Sequence, residues 1–259
     1  MMNLRKKLEY HHKAFSKEHI EPDPLQFLHI FSDPEDIEAV GFLSSVFAYG
    51  NVTQINNTMN KVLNITGNSP HQFISNFSIR KDSKRFDSLK HRFYSTLDII
   101  RLFELLKDAY QNFSSLNNLF LFSFNTEDLN VKNGISGFSS FFISTHQIKF
   151  GKPSRGITFM FPIPEKGSAC KRMNLFLRWM VRKDELDFGI WNGILTAQLI
   201  IPVDTHIAQI CKKLDLTKSK NVSWKMAEEI TNNLKRFDEH DPVKYDFALC
   251  HIGMRKLKF

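Results

Sequence analysis

The sequence has 259 residues and a mass of 30.2 kDa, with 42% hydrophobic and 24% charged residues. This length and balance allow one large domain or two lobes with a buried core, and they exclude a disordered or fibrous chain. Every apolar run is far shorter than the roughly 20 residues of a membrane span. No apolar run follows the positive charges at the start, so we expect neither a membrane segment nor a secretion signal.

Charge is distributed unevenly along the chain. Residues 1–150 contain 16 Lys and Arg against 15 Asp and Glu, whereas residues 151–259 contain 19 against 12, within a formal net charge of +8. Such an excess is typical of a surface that binds a polyanion, although many proteins with a similar isoelectric point bind no nucleic acid. The cysteines Cys170, Cys211 and Cys250 lack the close spacing of metal ligands, so we expect reduced thiols in a cytosolic protein.

The first part of the chain predicts helices, with little strand-like alternation. Ser32-Asp33-Pro34-Glu35 offers an N-cap followed by proline, and the apolar residues after it predict a helix that ends near Gly50. A second helix is predicted from about Val52 to the breaker at Gly67. Further along, we predict that residues 81–92 start as a loop, that residues 97–120 form one long helix or two short ones, and that residues 157–163 are extended. Residues 134–152 show no clear period.

The last third has the clearest helical pattern. Ser168 precedes a helix with an apolar face and, on the opposite face, a cationic stripe of Lys171, Arg178 and Arg182. Asp204 is predicted as the N-cap of the next helix. Two more helices are predicted, one marked by the apolar residues from Trp224 to Phe237 and one opened by Asp241-Pro242.

One segment identifies a candidate reaction centre. Pro202-Val203-Asp204-Thr205-His206 resembles the helix-hairpin-helix DNA glycosylase superfamily, the group of endonuclease III and 8-oxoguanine glycosylase, whose catalytic aspartate lies in a Val-Asp-Thr-His-like sequence at a helix start. The spacing of 33 positions between Lys171 and Asp204 is similar to the spacing of lysine and aspartate in the archaeal 8-oxoguanine glycosylase branch. The wider pattern in residues 167–172, 176–182 and 241–249 looks like a bacterial family catalogued only as a domain of unknown function.

The resemblance implies that Asp204 and Lys171 are catalytic. A carboxylate at a helix N-terminus stays anionic, so Asp204 can stabilise a developing oxocarbenium at a sugar C1′ or accept a proton from a nucleophile. In bifunctional members a hairpin lysine attacks C1′ and forms a Schiff base, which implies that role for Lys171, because a desolvated amine near other cations can lose its proton. The alternatives are an N-cap without chemistry for Asp204 and a solvated or phosphate-contacting lysine for Lys171.

The resemblance also implies a DNA surface and a pocket for an extruded base. A glycine turn that leads into a helix exposes backbone N–H groups that can bind a phosphate, and arginine side chains can provide further phosphate contacts. The alternative is that the arginines only form a solvated face of the helix. Aromatic residues in the pocket can equally be core packing. For DNA binding we assign Gly167, Ser168, Arg172, Arg178, Arg182 and His206, and for the base pocket Tyr49, Asn51, Gln54 and Trp179.

Together these features predict an all-α protein with a helix-hairpin-helix-like element and two lobes, one over about residues 33–200 and one over 1–32 plus 204–259, with Asp204 and Lys171 in the cleft. We expect a cytoplasmic, nucleoid-associated repair enzyme that excises a damaged base, such as an oxidised purine, from double-stranded DNA, with AP-lyase activity. We expect no metal or other cofactor, and no iron–sulfur cluster because the four-cysteine tail is missing. A non-catalytic nucleic-acid-binding module and a helical interaction scaffold remain alternatives, and the oligomeric state stays undetermined.

Overall fold

The computed structural model describes residues 4–15 and 17–254, which form helices joined by short connections. Within these residues the only β pairing is in two isolated bridges, His91 with Tyr94 and Lys183 with Phe188, so the predicted all-α class is confirmed. None of the described helices has the length and apolar character needed to cross a membrane. The α-helices are α1 (Leu4–Ala14), α2 (Pro34–Phe47), α3 (Val52–Thr66), α4 (Pro70–Ser75), α5 (Ile79–Asp82), α6 (Thr96–Phe113), α7 (Leu116–Leu121), α8 (Lys132–Phe150), α9 (Arg155–Met160), α10 (Lys171–Val181), α11 (Thr205–Lys213), α12 (Trp224–Leu234) and α13 (Asp246–Met254). Short 3-10 helices cover Lys17–His19, Pro24–Ile30, Ser83–Phe86, Pro164–Lys166, Thr196–Gln198 and Pro242–Tyr245.

The chain divides into two compact units. Unit 1 contains the chain up to His19, the segment Thr126–Asn133 and the chain from Ile163 on. Unit 2 contains Ile20–Asn125 and Gly134–Pro162. Residues 163–200 therefore belong to unit 1, whereas the predicted lobes placed them with the central part of the chain. The physical reason is α10, whose arginines form ion pairs with aspartates that come later in unit 1.

Unit 2 is centred on α2. Residues 37–47 of this helix are all buried, and the helix packs against α3, α4 and the 3-10 helix Pro24–Ile30. As predicted, Asp33 is the N-cap and Pro34 the first helical residue, and Oδ1 of Asp33 accepts the N–H of Glu35 at 2.8 Å. The predicted second helix is α3, which begins at Val52 and ends at Thr66. The local capping signals were therefore sufficient to place both helices.

Two predictions in unit 2 are wrong at their first residues, because both segments begin as helices. The segment over 81–92, predicted to start as a loop, starts in α5 and continues as a 3-10 helix to Phe86, and the predicted extended segment over 157–163 begins within α9. Most of the segment over 134–152, for which the sequence shows no clear period, lies in α8. In α8 the buried face contains glycine and serine beside phenylalanine, which hides the helical period. Gly134 is needed there because a Cβ would lie 2.2 Å from the ring of Phe120.

Unit 1 brings α13 together with α1 and α11, and α12 against the 3-10 helix Pro242–Tyr245. Asp204 is the N-cap of α11, as predicted, and Ser223 caps α12 by accepting the N–H of Met226. The helix predicted from Asp241-Pro242 begins as the 3-10 helix and continues as α13. Unit 1 therefore contains both residues of the candidate site, Asp204 at the start of α11 and Lys171 at the start of α10.

Candidate functional site

Asp204 binds different donors with its two carboxylate oxygens. Oδ1 accepts the backbone N–H groups of His206 and Ile207, each at 2.9 Å, which fixes the side chain at the N-terminus of α11. Oδ2 accepts a hydrogen bond from Nζ of Lys171 at 2.7 Å. The side chains of Lys171 and Asp204 are 33% and 25% exposed, so this ion pair remains accessible from solvent. The structure thus brings the two predicted catalytic residues into direct contact.

The position of Lys171 follows from a tight turn. The 3-10 helix Pro164–Lys166 ends at Gly167, which has a φ of 84° in the left-handed region that favours glycine. Oγ of Ser168 accepts the N–H of Cys170 at 3.1 Å, and Cys170 itself is left-handed with a φ of 47°. Lys171 is the next residue and the first of α10, so the turn places its amine at the start of the helix.

The ion pair determines the charge state of both groups. Burial opposes the charge of Lys171, but the carboxylate of Asp204, together with Cys250 and Asp246, outweighs it, so the pKa of the Lys171 amine is raised above its usual value. Burial likewise opposes the charge of Asp204, yet Lys171 and the helix N–H groups hold the pKa of this carboxyl below its usual range. The expectation that nearby cations would lower the pKa of Lys171 is wrong, because its nearest charged partner is an anion.

The cationic stripe predicted on α10 is not a solvent-facing surface. Arg172, Arg178 and Arg182 are buried, with exposed fractions of 7%, 3% and 5%. Arg178 donates to Asp187 and Asp246, and Arg182 donates to Asp184, Asp187 and Asp241. Because Arg178 and Arg182 are enclosed in this internal network of ion pairs, we do not assign them to DNA phosphates.

Trp179 is also buried, on the apolar side of α10, so the prediction that it contributes an open stacking platform is wrong. Phe176, Leu177 and Met180 of the same helix are fully buried as well. The alternative of core packing therefore holds for this tryptophan.

Three of the residues predicted for DNA binding lie around the ion pair. Gly167 is exposed, Ser168 is half-buried, and His206 is exposed in the first turn of α11. No side chain caps the N-terminus of α10, which begins directly after the turn. These residues are thus placed where an anion can approach the first turns of α10 and α11.

The predicted pocket residues Tyr49, Asn51 and Gln54 lie in unit 2. Tyr49 is half-buried, and its hydroxyl donates to the carbonyl of His91 at 3.0 Å. Its ring packs on those of Phe93 and Phe159 at centroid distances of 5.4 and 5.0 Å. Asn51 is the N-cap of α3, accepting the N–H of Thr53, and both Asn51 and Gln54 are exposed.

The cysteines are free thiols. Cys170 and Cys211 are buried, and burial raises the pKa of each to about 12, so neither is a thiolate at neutral pH. In the part of the chain that the structure describes, no three His, Cys, Asp or Glu side chains are grouped as metal ligands.

Sequence reasoning did not identify the acidic partners of α10. Asp187 is buried and binds Arg178 with Oδ1 and Arg182 with Oδ2. Asp246 is buried at the start of α13 and accepts a hydrogen bond from Arg178. A signal was present in Arg178 and Arg182, which lie four positions apart among the apolar residues at the end of α10, since buried guanidinium groups require acidic partners.

The fold and this site together define an all-α protein with a lysine–aspartate pair at the N-termini of two helices. Residues 23–255 match a family described as "Protein of unknown function (DUF2400)", and the chain belongs to that family. Comparison with curated proteins gave no match, and comparison with solved structures gave none either. Function is therefore argued from the site itself.

Proposed function

We propose that the protein is a DNA glycosylase with AP-lyase activity, which excises a damaged base such as an oxidised purine from double-stranded DNA. The observation that carries this proposal is the 2.7 Å contact between Nζ of Lys171 and Oδ2 of Asp204. A primary amine beside an anion that is fixed at a helix N-terminus has the two groups that this reaction needs. The helix-hairpin-helix assignment is part of the proposal, with the turn at Gly167 as the hairpin and α10 as its second helix.

In the proposed reaction Lys171 first gives up a proton, because its ammonium form has no electron pair for attack. The neutral amine then forms a bond to C1′ of the nucleotide, and the electron pair of the C1′–base bond leaves with the base. Positive charge develops on the sugar as this bond breaks, and the carboxylate of Asp204 stabilises it. Opening of the sugar ring gives an iminium, from which β-elimination breaks the strand.

DNA would reach this pair along the first turns of α10 and α11. Backbone N–H groups after Gly167 and Ser168 favour a phosphate, and the exposed His206 adds a polar contact. The base-pocket assignment of Tyr49, Asn51 and Gln54, which lie in unit 2, stays a prediction from the sequence. Association with the nucleoid follows from this activity and belongs to the same proposal.

The test is borohydride trapping on duplexes that carry oxidised, deaminated or alkylated bases, together with an alkali-cleavage assay. We expect a covalent adduct with at least one lesion, its loss in Lys171→Gln, and loss of base release in Asp204→Asn with binding retained. Lys166→Gln is the matched control, because Lys166 is an exposed lysine of the same turn and should trap as the unmodified protein does. Silence in both assays, with salt-dependent DNA binding intact, would instead support the non-catalytic module, and no binding at low salt would support an interaction scaffold.

A further inference from the structure

An aromatic cluster that solvent can reach lies in unit 2. It consists of Tyr49, Phe93 and Phe159, of which Phe93 and Phe159 are 38% and 39% exposed and Tyr49 is half-buried. The ring centroid of Tyr49 is 5.4 Å from that of Phe93 and 5.0 Å from that of Phe159. The centroids of Phe93 and Phe159 are 4.9 Å apart. Each of the three rings is thus in contact with the other two.

A tight turn presents Phe93 of this cluster to solvent. His91 and Tyr94 exchange two backbone hydrogen bonds, of 3.2 and 2.9 Å, so Arg92 and Phe93 form the tip of the turn. His91 is buried, and Nε2 of its ring lies 3.2 Å from the carbonyl oxygen of Tyr49. The hydroxyl of Tyr49 donates to the carbonyl of His91 at 3.0 Å. The turn and Tyr49 therefore hold each other in place.

A buried carboxylate joins the two segments that carry the phenylalanines. Oδ1 of Asp98 accepts the hydroxyl of Ser154, the N-cap of α9, at 2.5 Å, and Phe159 lies in that helix. Oδ2 of Asp98 accepts the hydroxyl and the backbone N–H of Ser95 at 2.8 and 2.9 Å. Ser95 caps α6 and directly follows the turn that carries Phe93. The rings of the cluster are therefore held in position before any ligand binds.

Two arginine side chains lie over rings of the aromatic cluster. Cζ of Arg92 is 5.4 Å from the ring centroid of Tyr49, and Cζ of Arg155 is 5.2 Å from that of Phe93. Both arginines are exposed, and neither side chain forms an ion pair or a hydrogen bond with a described residue. A ring face holds a guanidinium group in position and leaves its N–H groups available to an anion.

The segments that form the cluster contain cationic side chains without anionic ones. Residues 41–60, 88–97 and 150–164 together include four Lys and Arg, all of them exposed, and no Asp or Glu. This combination fits a ligand that has flat aromatic faces and spaced negative charges. Nucleic acid with unpaired bases has both, because its bases stack on aromatic rings or guanidinium planes and its phosphates bind arginine. In a duplex the faces of the bases are covered by neighbouring pairs.

We propose that the aromatic cluster, with Arg92 and Arg155, is a binding site for single-stranded nucleic acid. Unpaired bases stack on the rings, and the two arginines contact the phosphates between them. The site uses residues of unit 2 alone, so it does not depend on base excision by the Lys171–Asp204 pair. Every base has a flat face, so the site accepts strands of different sequence. Neither kind of contact involves the 2′-hydroxyl, so the chemistry is the same for DNA and RNA strands.

Fluorescence anisotropy with labelled oligo(dT) and oligo(U) tests the stacking contacts. We expect the unmodified protein to bind, and Phe159→Leu to bind about tenfold more weakly, as is typical when one stacked base loses its ring. Phe159→Tyr restores a ring face and should bind as the unmodified protein does. Phe122→Leu is the matched control, because Phe122 is 78% exposed in unit 2 outside the cluster. Affinity for a duplex of the same length should not change in Phe159→Leu.

The phosphate contacts are tested by the salt dependence of the same binding. Arg92→Gln and Arg155→Gln should each lower the slope of log K against log salt by about 0.7, the contribution of one phosphate of a single strand. Arg80→Gln removes an exposed arginine of unit 2 outside the cluster and should keep the slope. Arg92 and Arg155 are exposed, so these variants decide the matter if Phe159→Leu does not fold in a thermal melt.

The possible results separate this site from general electrostatic binding. No binding of either strand at low salt overturns the proposal, and so does equal affinity of Phe159→Leu and the unmodified protein. An equal loss of duplex affinity in Phe159→Leu, or a slope that falls as much in Arg80→Gln as in Arg155→Gln, also overturns it. Ring-dependent binding of only one strand supports the site and identifies DNA or RNA as its ligand.

Discussion

At the scale of single residues, Asp204 holds α11 and the amine of Lys171 with separate oxygens. The N-cap bonds to His206 and Ile207 use Oδ1, and the ion pair uses Oδ2. Substitutions can therefore separate the cap from the charge, because asparagine caps a helix about as well as aspartate does.

Replacing Asp204 by alanine and by asparagine should affect stability differently. Asp204→Ala loses both the cap and the charge, and should lower the free energy of unfolding by about 1 kcal/mol more than Asp204→Asn, which keeps the cap and loses only the charge. Both variants lose the charge and should lose base release. Chemical denaturation beside the trapping assay measures the two effects, and equal losses of stability would show that α11 does not depend on this cap.

The pH dependence of stability has a defined sign at Asp204. Because the pKa of Asp204 is lowered in the folded protein, its stabilisation is present above the pKa of the unfolded chain. It is lost as the pH falls through the lower pKa of the folded state. The difference between the unmodified protein and Asp204→Asn should therefore shrink in acid.

At the scale of elements, α10 joins the candidate site to a buried network of ion pairs. Arg178 and Arg182 extend from the same helix that begins with Lys171, and Asp187 lies between them with each oxygen bound to one guanidinium group. Removal of a shared buried anion leaves two cations without full compensation. The network thus stabilises the helix that carries the amine.

Asp187→Asn should lower the free energy of unfolding by about 3 kcal/mol, since breaking a buried ion pair by removing one partner costs about 3 to 5 kcal/mol. Urea denaturation measures this change. Glu185→Gln is the matched control, because Glu185 is exposed in the same loop and should change stability by less than about 0.5 kcal/mol. A loss below about 1 kcal/mol in Asp187→Asn would mean that the network contributes little to the fold.

The sequence predicted those features of the fold and the site that depend on residues adjacent in the chain. The caps at Asp33 and Asp204 follow from the residue itself and the next few positions. The contact of Arg178 with Asp246 joins positions 68 residues apart, so the local sequence of α10 can indicate that acidic partners exist but not that Asp246 is one of them. The burial of Asp187 in the charged loop after Arg182 depends on packing that no local pattern records.

At the scale of the whole molecule, the formal charge of +8 includes arginines that are enclosed in ion pairs. The charge available to a polyanion therefore depends on the exposed lysines and arginines. Four exposed lysines, none in an ion pair with a described carboxylate, follow one another at the end of α11 and in the next loop: Lys212, Lys213, Lys218 and Lys220. They belong to the part of the chain with the basic excess.

Changing these four lysines to glutamine lowers the formal charge from +8 to +4 and should reduce the salt dependence of duplex DNA binding. Each lysine that neutralises a phosphate contributes about 0.9 to the slope of log K against log salt. Fluorescence anisotropy over a range of salt concentrations measures the slope. A control with Lys61, Lys81, Lys84 and Lys90 changed to glutamine makes the same change in charge on exposed residues of unit 2. Equal slopes in the two variants would show that net charge alone governs binding, whereas a smaller slope in the first variant would assign the phosphate contacts to the lysines after α11.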